Sequence, residues 1–139
     1  MKREERLQAI GCLEESTTVA LADRALTSMD VEIIRGPLVG LLMLRAEEPS
    51  EKLAFNFCEV TVTEAEVEAR GVRGYAIVLG RSLEKAVAGA VIDVALEIGH
   101  EMSDEITVNL REARLAEEKR WGQRWLEVAP TVVKFEDVT

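Results

Sequence analysis

Residues 80–99 carry an apolar run that only one kind of fold can hide. Leu83, Ala86, Val87, Ala90, Val91, Val94, Ala95 and Ile98 recur at the i, i+3, i+4, i+7 spacing of one helical face, and Ala88, Ile92 and Leu96 add a second apolar flank. A helix that is apolar around most of its circumference must be covered on two sides. It has to be a core helix lying on a sheet and touched by something else. Ser82 stands at the N-cap position, and Glu84 in the first turn suits the positive end of the dipole. Asp93 and Glu97 fall on the remaining polar stripe, where a solvated or salt-bridged carboxylate is the ordinary expectation. His100 follows the helix, at a place that suits a C-terminal cap with a cationic ring.

The rest of the chain supplies the sheet and the cover. Leu7, Ile10 and Leu13 mark a short amphipathic helix over residues 3–13, and Val19, Ala22, Leu26 and Met29 a second one, N-capped by Ser16 or Thr17 and closed by Asp30. The period then changes to that of strands. Residues 31–35 and 38–45, separated by Gly36-Pro37, read as two short strands of a hairpin. Leu53, Phe55 and Phe57 share one parity while Val60 and Val62 share the other. That pattern calls either for a bulge near Cys58-Glu59, which would re-aim Glu59, or for a strand buried on both faces. Residues 61–69 continue the strand, Arg70-Gly71 supplies a turn, and residues 72–79 return. The fold expected is α+β, with a mainly antiparallel sheet of about four or five strands covered by helices.

The C-terminal third is different in kind. Residues 103–124 read as a helix, but Ile106, Leu110 and Ala113 run into Glu117, Glu118, Lys119 and Arg120, too thin a stripe to dock firmly. Trp121 and Trp125 then share a face, followed by Leu126 and Val128. Pro130 stops the helix, and residues 131–138, with Phe135, read as a short terminal strand. Tryptophan is enriched at the centres of interfaces, and an edge-strand tail can pair with a foreign sheet. One domain is therefore expected over 1–139, with a core over 1–102 and a helix and tail over 103–139. Within that tail, 111–138 forms an arm packing on a partner or, in isolation, on a second copy, with Trp121, Trp125, Leu126 and Phe135 as interface candidates. The bland alternative folds both indoles back onto the chain's own helices.

Scarce residues exclude chemistry. One histidine and two well-separated cysteines cannot build a structural zinc site alone, and two lone thiols read as small buried hydrophobes. No phosphate-binding or nucleophile-elbow motif occurs, so no catalytic residue, metal or cofactor is expected in this chain. A net charge of −9, from 17 basic and 26 acidic residues, repels phosphate backbones and argues against nucleic acid or an anionic membrane as partner. No apolar stretch is long enough to span a bilayer, and residues 1–5 carry no apolar signal region, so a cytoplasmic protein is expected. The one local anion-binding pattern is Gly80-Arg81-Ser82. There a strand feeds a helix start beside a guanidinium; the alternative is a tight turn with a surface arginine.

Three groups of residues carry a family resemblance: Phe55-Asn56-Phe57-Cys58-Glu59-Val60; Gly74-Tyr75-Ala76-Ile77-Val78-Leu79-Gly80-Arg81; and Ala86 with Asp93. In these, and in its order of elements over most of its length, the chain resembles the G subunit of the carbon-phosphorus lyase system for phosphonate breakdown. It departs from that pattern at Ser82 and at Ala86-Val87. The resemblance implies a place in a complex with H, I and J subunits. With the L subunit, the G, H and I subunits are linked to transfer of the ribosyl triphosphate part of ATP onto an alkylphosphonate, releasing adenine, before the J subunit cleaves the carbon-phosphorus bond. It also implies that catalytic residues lie mainly in the I subunit. Gly80, Arg81, Glu59 and Asp93 are the matching positions, expected to contact an anion or a partner. Two other readings stand beside it: a small enzyme using Glu59 and Asp93 as a carboxylate pair with Arg81 as clamp, and an unrelated α+β interaction module.

Overall fold

Two helices come first, then three strands, then two more helices. A computed structural model describes residues 1–47 and 50–128. They form α1 (Arg3–Cys12), α2 (Glu15–Leu26), β1 (Glu32–Glu47), β2 (Ala54–Ala69), β3 (Val72–Leu79), α3 (Leu83–Glu97) and α4 (Ser103–Val128). The strands make one antiparallel sheet in the order β1-β2-β3. The α+β class holds, with three described strands instead of four or five. The expected terminal strand over 131–138, Phe135 included, lies outside the described residues.

The missing strand boundary is Gly36-Pro37. The chain runs straight through this pair in β1, and the register against β2 slips between Arg35 and Leu38. A proline has no ladder donor to lose at such an irregularity. Gly36, in a cis peptide with Pro37, has φ +82, and a Cβ there would lie 2.7 Å from the Glu64 carbonyl. Only glycine lets β1 keep pairing through the pair, so the expected hairpin becomes one bulged strand. The second expected irregularity is present one residue early: Leu44 pairs with Cys58 and Arg45 with Asn56, which leaves Phe57 as the extra residue. The β2–β3 turn is as expected. Arg70 (φ +52) and Gly71 (φ +76) are the two left-handed positions of a two-residue hairpin turn.

Alternation then sorts the sheet faces. Thr63, Ala65, Val67 and Ala69 of β2, with Gly74, Ala76 and Val78 of β3, are buried toward the helices. α3 lies on this face and is covered from the other side by α2 and α1. Its Ile92 and Val94 are fully buried, each contributing about 1.5–3 kcal/mol through the area it removes from water. The helix comes so close that a Cβ on Gly74 would sit 2.4 Å from the Ala90 carbonyl oxygen and 2.6 Å from the Val94 side chain.

Helix starts differ from expectation. α2 begins at Glu15, ahead of Ser16 and Thr17, and Thr18 Oγ1 instead bonds back to the Glu14 carbonyl. It ends at Leu26, well short of Asp30, with Thr27 Oγ1 bonded to the Arg24 carbonyl. α4 docks only through its first half, where Ile106 and Leu110 are fully buried. Trp121 and Trp125 are each 60% exposed, so neither indole folds back onto the core.

β1 and β2 are twice as long as β3, which pairs only with residues 62–69 of β2. The β1–β2 hairpin therefore runs on past β3 as a two-stranded arm. Leu41 and Met43 lie on one face of the arm and Leu42 on the other, all exposed. The Gly74 contact yields a direct expectation. Gly74→Ala should cost about 1–3 kcal/mol of stability by overpacking, read as a lower urea midpoint with an unchanged m-value.

Candidate functional site

Of the two settings expected for Asp93, solvated or salt-bridged, the structure shows the second. Asp93 is fully buried where α1, α3 and β3 meet, and its carboxylate is completely engaged. Arg6 Nε donates to Oδ1 at 2.9 Å, while Arg3 Nη2 at 2.8 Å and the Tyr75 amide at 2.9 Å donate to Oδ2. Arg6 is itself buried and also holds Glu97. That hydrogen bond pulls the Glu97 carboxyl below its usual range, so its share of stability is present at neutral pH and lost on acidification. Every buried polar side-chain atom among the described residues has a partner. The cluster is a structural joint with no open coordination left for a ligand. Arg6 was missed because an arginine on a short N-terminal helix reads as solvated; its spacing from Ile10 was the available signal.

Glu59, Gly80 and Arg81 lie at the other end of the sheet. The Gly80 amide donates to the Thr61 carbonyl at 2.8 Å, two residues from Glu59, so these three share a corner. Asp93 does not. It binds Tyr75, which pairs with Glu66, seven residues along β2 from Glu59, or about 23 Å at 3.3 Å per residue. Paired carboxylate chemistry between Glu59 and Asp93 is excluded by that separation.

The Gly80-Arg81-Ser82 turn is tied by a residue that sequence reasoning overlooked. Thr63 Oγ1 donates to the Gly80 carbonyl at 2.7 Å and accepts the Ser82 amide at 3.0 Å. Ser82 occupies the N-cap position of α3 without capping it, since its hydroxyl goes to Glu15. A carboxylate of the chain itself thus already stands at the helix start. Glu59 and Arg81 are both exposed, and neither forms an ion pair with a described residue.

The other singled-out residues have structural settings. His100 is buried, and its Nδ1 accepts the Met102 amide at 3.1 Å while Nε2 meets Ser28 Oγ at 2.8 Å. Its ring therefore ties the α3–α4 turn to Ser28 after α2. Both cysteines are free and half-buried, so neither is the fully buried hydrophobe expected. Desolvation raises the Cys12 thiol pKa, the opposite of what a nucleophile needs. No group of three or more potential metal ligands occurs among the described residues. No helix there is long and apolar enough to cross a membrane.

On its outward face the proximal sheet is a polar ladder. Arg35 pairs with Glu64 at 3.2 Å, Arg73 with Glu66 at 3.0 Å, and the Tyr75 hydroxyl donates to Glu64 at 2.7 Å. The family model described as phosphonate metabolism protein PhnG matches residues 1–139. The chain belongs to the PhnG family. No curated protein matches it. Membership of the PhnG family places it in phosphonate metabolism, as a member of a multi-subunit complex, and removes the reading as an unrelated interaction module. Among its described residues this PhnG-family chain has a braced sheet, a surface corner near Glu59, Gly80 and Arg81, and two exposed apolar projections.

Two outcomes test the joint and the ladder. Asp93→Asn removes the charge that both arginines face, and it should cost about 3–5 kcal/mol in urea denaturation. Burial, with the Glu64 hydrogen bond behind it, pushes the Tyr75 hydroxyl from 10.0 up to about 12. The native state thus holds this proton longer than the unfolded chain does, so stability should fall as pH rises from 10 toward 12. Tyr75→Phe should fall less over that window when thermal melts of the two proteins are compared.

Proposed function

We propose that this chain is a non-catalytic subunit of the carbon-phosphorus lyase complex of the cytoplasm. In this reading it assembles with H, I, J and L subunits. It supports transfer of the ribosyl triphosphate moiety of ATP to an alkylphosphonate with release of adenine. The observation that carries the reading is a change of chemistry along one sheet face. Where β3 covers the edge, the outward face is the charged ladder of Arg35, Glu64, Arg73 and Glu66. Beyond β3 it becomes Leu42 and Val60, with Leu41 and Met43 on the reverse. A two-stranded arm apolar on both faces is marginal by itself in water and calls for another chain to cover it.

Trp121, Trp125 and Leu126, all exposed on the second half of α4, form a second contact in this reading. Phe135 would extend it, and a homodimer in isolation is the fallback cover. The exposed corner of Glu59, Gly80 and Arg81 faces a partner or an anion held by one. Asp93, wholly engaged inside, acts on assembly only by keeping the sheet and helices together. The acidic surface also fits a supporting role, since a triphosphate is repelled by a chain of net charge −9. No cofactor is assigned to this chain.

The deciding experiment measures adenine release from ATP and methylphosphonate. The isolated chain should release none, and the G, H, I and L subunits together should release it. Adenine release by this chain alone would overturn the accessory role. In the assembled system Arg81→Ala should lower assembly or adenine release while leaving the melting temperature nearly unchanged; normal assembly with lost stability would make Arg81 a purely structural residue.

A further inference from the structure

β3 is an edge strand whose outer side is closed at one end and open at the other. The Gly80 amide bonds to Thr61 of β2. By the alternation of an antiparallel ladder, the even-numbered residues of β3 face β2, and the backbone groups of Arg73, Tyr75, Ile77 and Leu79 face outward. At the first two of these the chain supplies its own partners: Arg3 donates to the Arg73 carbonyl at 3.0 Å, and Asp93 accepts the Tyr75 amide. At Ile77 and Leu79 no described side chain does so, and no described strand adds to that edge. Native proteins blunt exposed edges. Here the blunting stops halfway.

Beside the open half lies a groove of about 600 Å³. Leu7 and Cys12 of α1 and Val78 of β3 give it an apolar wall, and Lys85, Arg120 and Glu117 also line it. Arg120 is paired with Glu117. Lys85 is half-buried, its ammonium bonds the Gly11 carbonyl at 2.9 Å, and no described carboxylate forms an ion pair with it, Glu15 acting only from farther off. Desolvation there lowers the lysine's pKa, a cost that an arriving carboxylate would offset. The site thus combines two unpaired backbone positions at strand spacing, an apolar wall and one cation without an ion-pair partner among the described residues.

We propose that the Ile77–Leu79 edge of β3 receives an extended strand from a partner subunit, with apolar side chains against the Leu7 and Cys12 wall and a carboxylate against Lys85. This is β-augmentation: main-chain hydrogen bonds to Ile77 and Leu79 give affinity, and the groove and cation select the strand. It rests on the reading of the chain as a complex subunit, and names a contact separate from the apolar arm.

The test uses amide hydrogen exchange and one edge-specific variant. The Ile77 and Leu79 amides should exchange freely in the isolated full chain and at least tenfold more slowly in the complex assembled with the partner subunits. Because the Ile77 amide points away from β2, Ile77→Pro removes the edge donor without breaking a β2–β3 bond. It should melt near the parent temperature and weaken assembly at least tenfold. Should Ile77→Pro fail to fold, Lys85→Glu takes its place, with weakened assembly expected. Protection of both amides in the isolated chain that disappears on removing residues 129–139 would assign the edge to the chain's own tail and overturn the proposal. Normal assembly with both amides unprotected overturns this inference alone, and failure of the parent chain to assemble overturns the subunit reading with it.

Discussion

The carboxylate of Asp93 is the point on which the rest of the structure depends. It accepts from Arg3 and Arg6 of α1 and from the Tyr75 amide of β3, while its own backbone belongs to α3. Three elements distant in sequence meet on one buried charge. Such a charge is tolerable only because each partner is in place, so helix α1 is positioned by electrostatics as much as by Ile10. The same atoms finish the backbone of β3, which links the core to the state of the sheet's outer edge.

Much of the fold was legible. The all-round apolar helix at residues 80–99, the Arg70-Gly71 hairpin turn and the thin stripe of α4 follow from local pattern, since burial on two sides, left-handed φ and weak docking each leave a composition signature. Gly36-Pro37 was misread because these residues are ordinary punctuation. Whether they end a strand or sit in a bulge is decided by pairing with Glu64 and Glu66, which are far along the chain.

The candidate site was legible in part and for a definable reason. Glu59, Gly80 and Arg81 fall together because the β2–β3 register brings them there. Asp93 shares its stripe with Glu97 as expected, and of the two settings expected for it, solvated or salt-bridged, the structure shows the second. Polarity alone cannot distinguish a carboxylate facing water from one facing two arginines. Thr63, which ties the turn before α3, gave no signal beyond its place in a strand, and the role of Arg6 depended on contacts made across the whole chain.

The apolar arm has a consequence for how the chain exists in a cell. Leu41 is 67% exposed and Met43 45%, on a strand already in the extended form that aggregating chains share. Covering such a surface after synthesis is a race between correct docking and self-association, and the second rises with concentration. A chain built this way is best produced in step with whatever covers it, and any surplus is a substrate for quality control. Its abundance is then governed by the supply of that cover more than by its own folding stability.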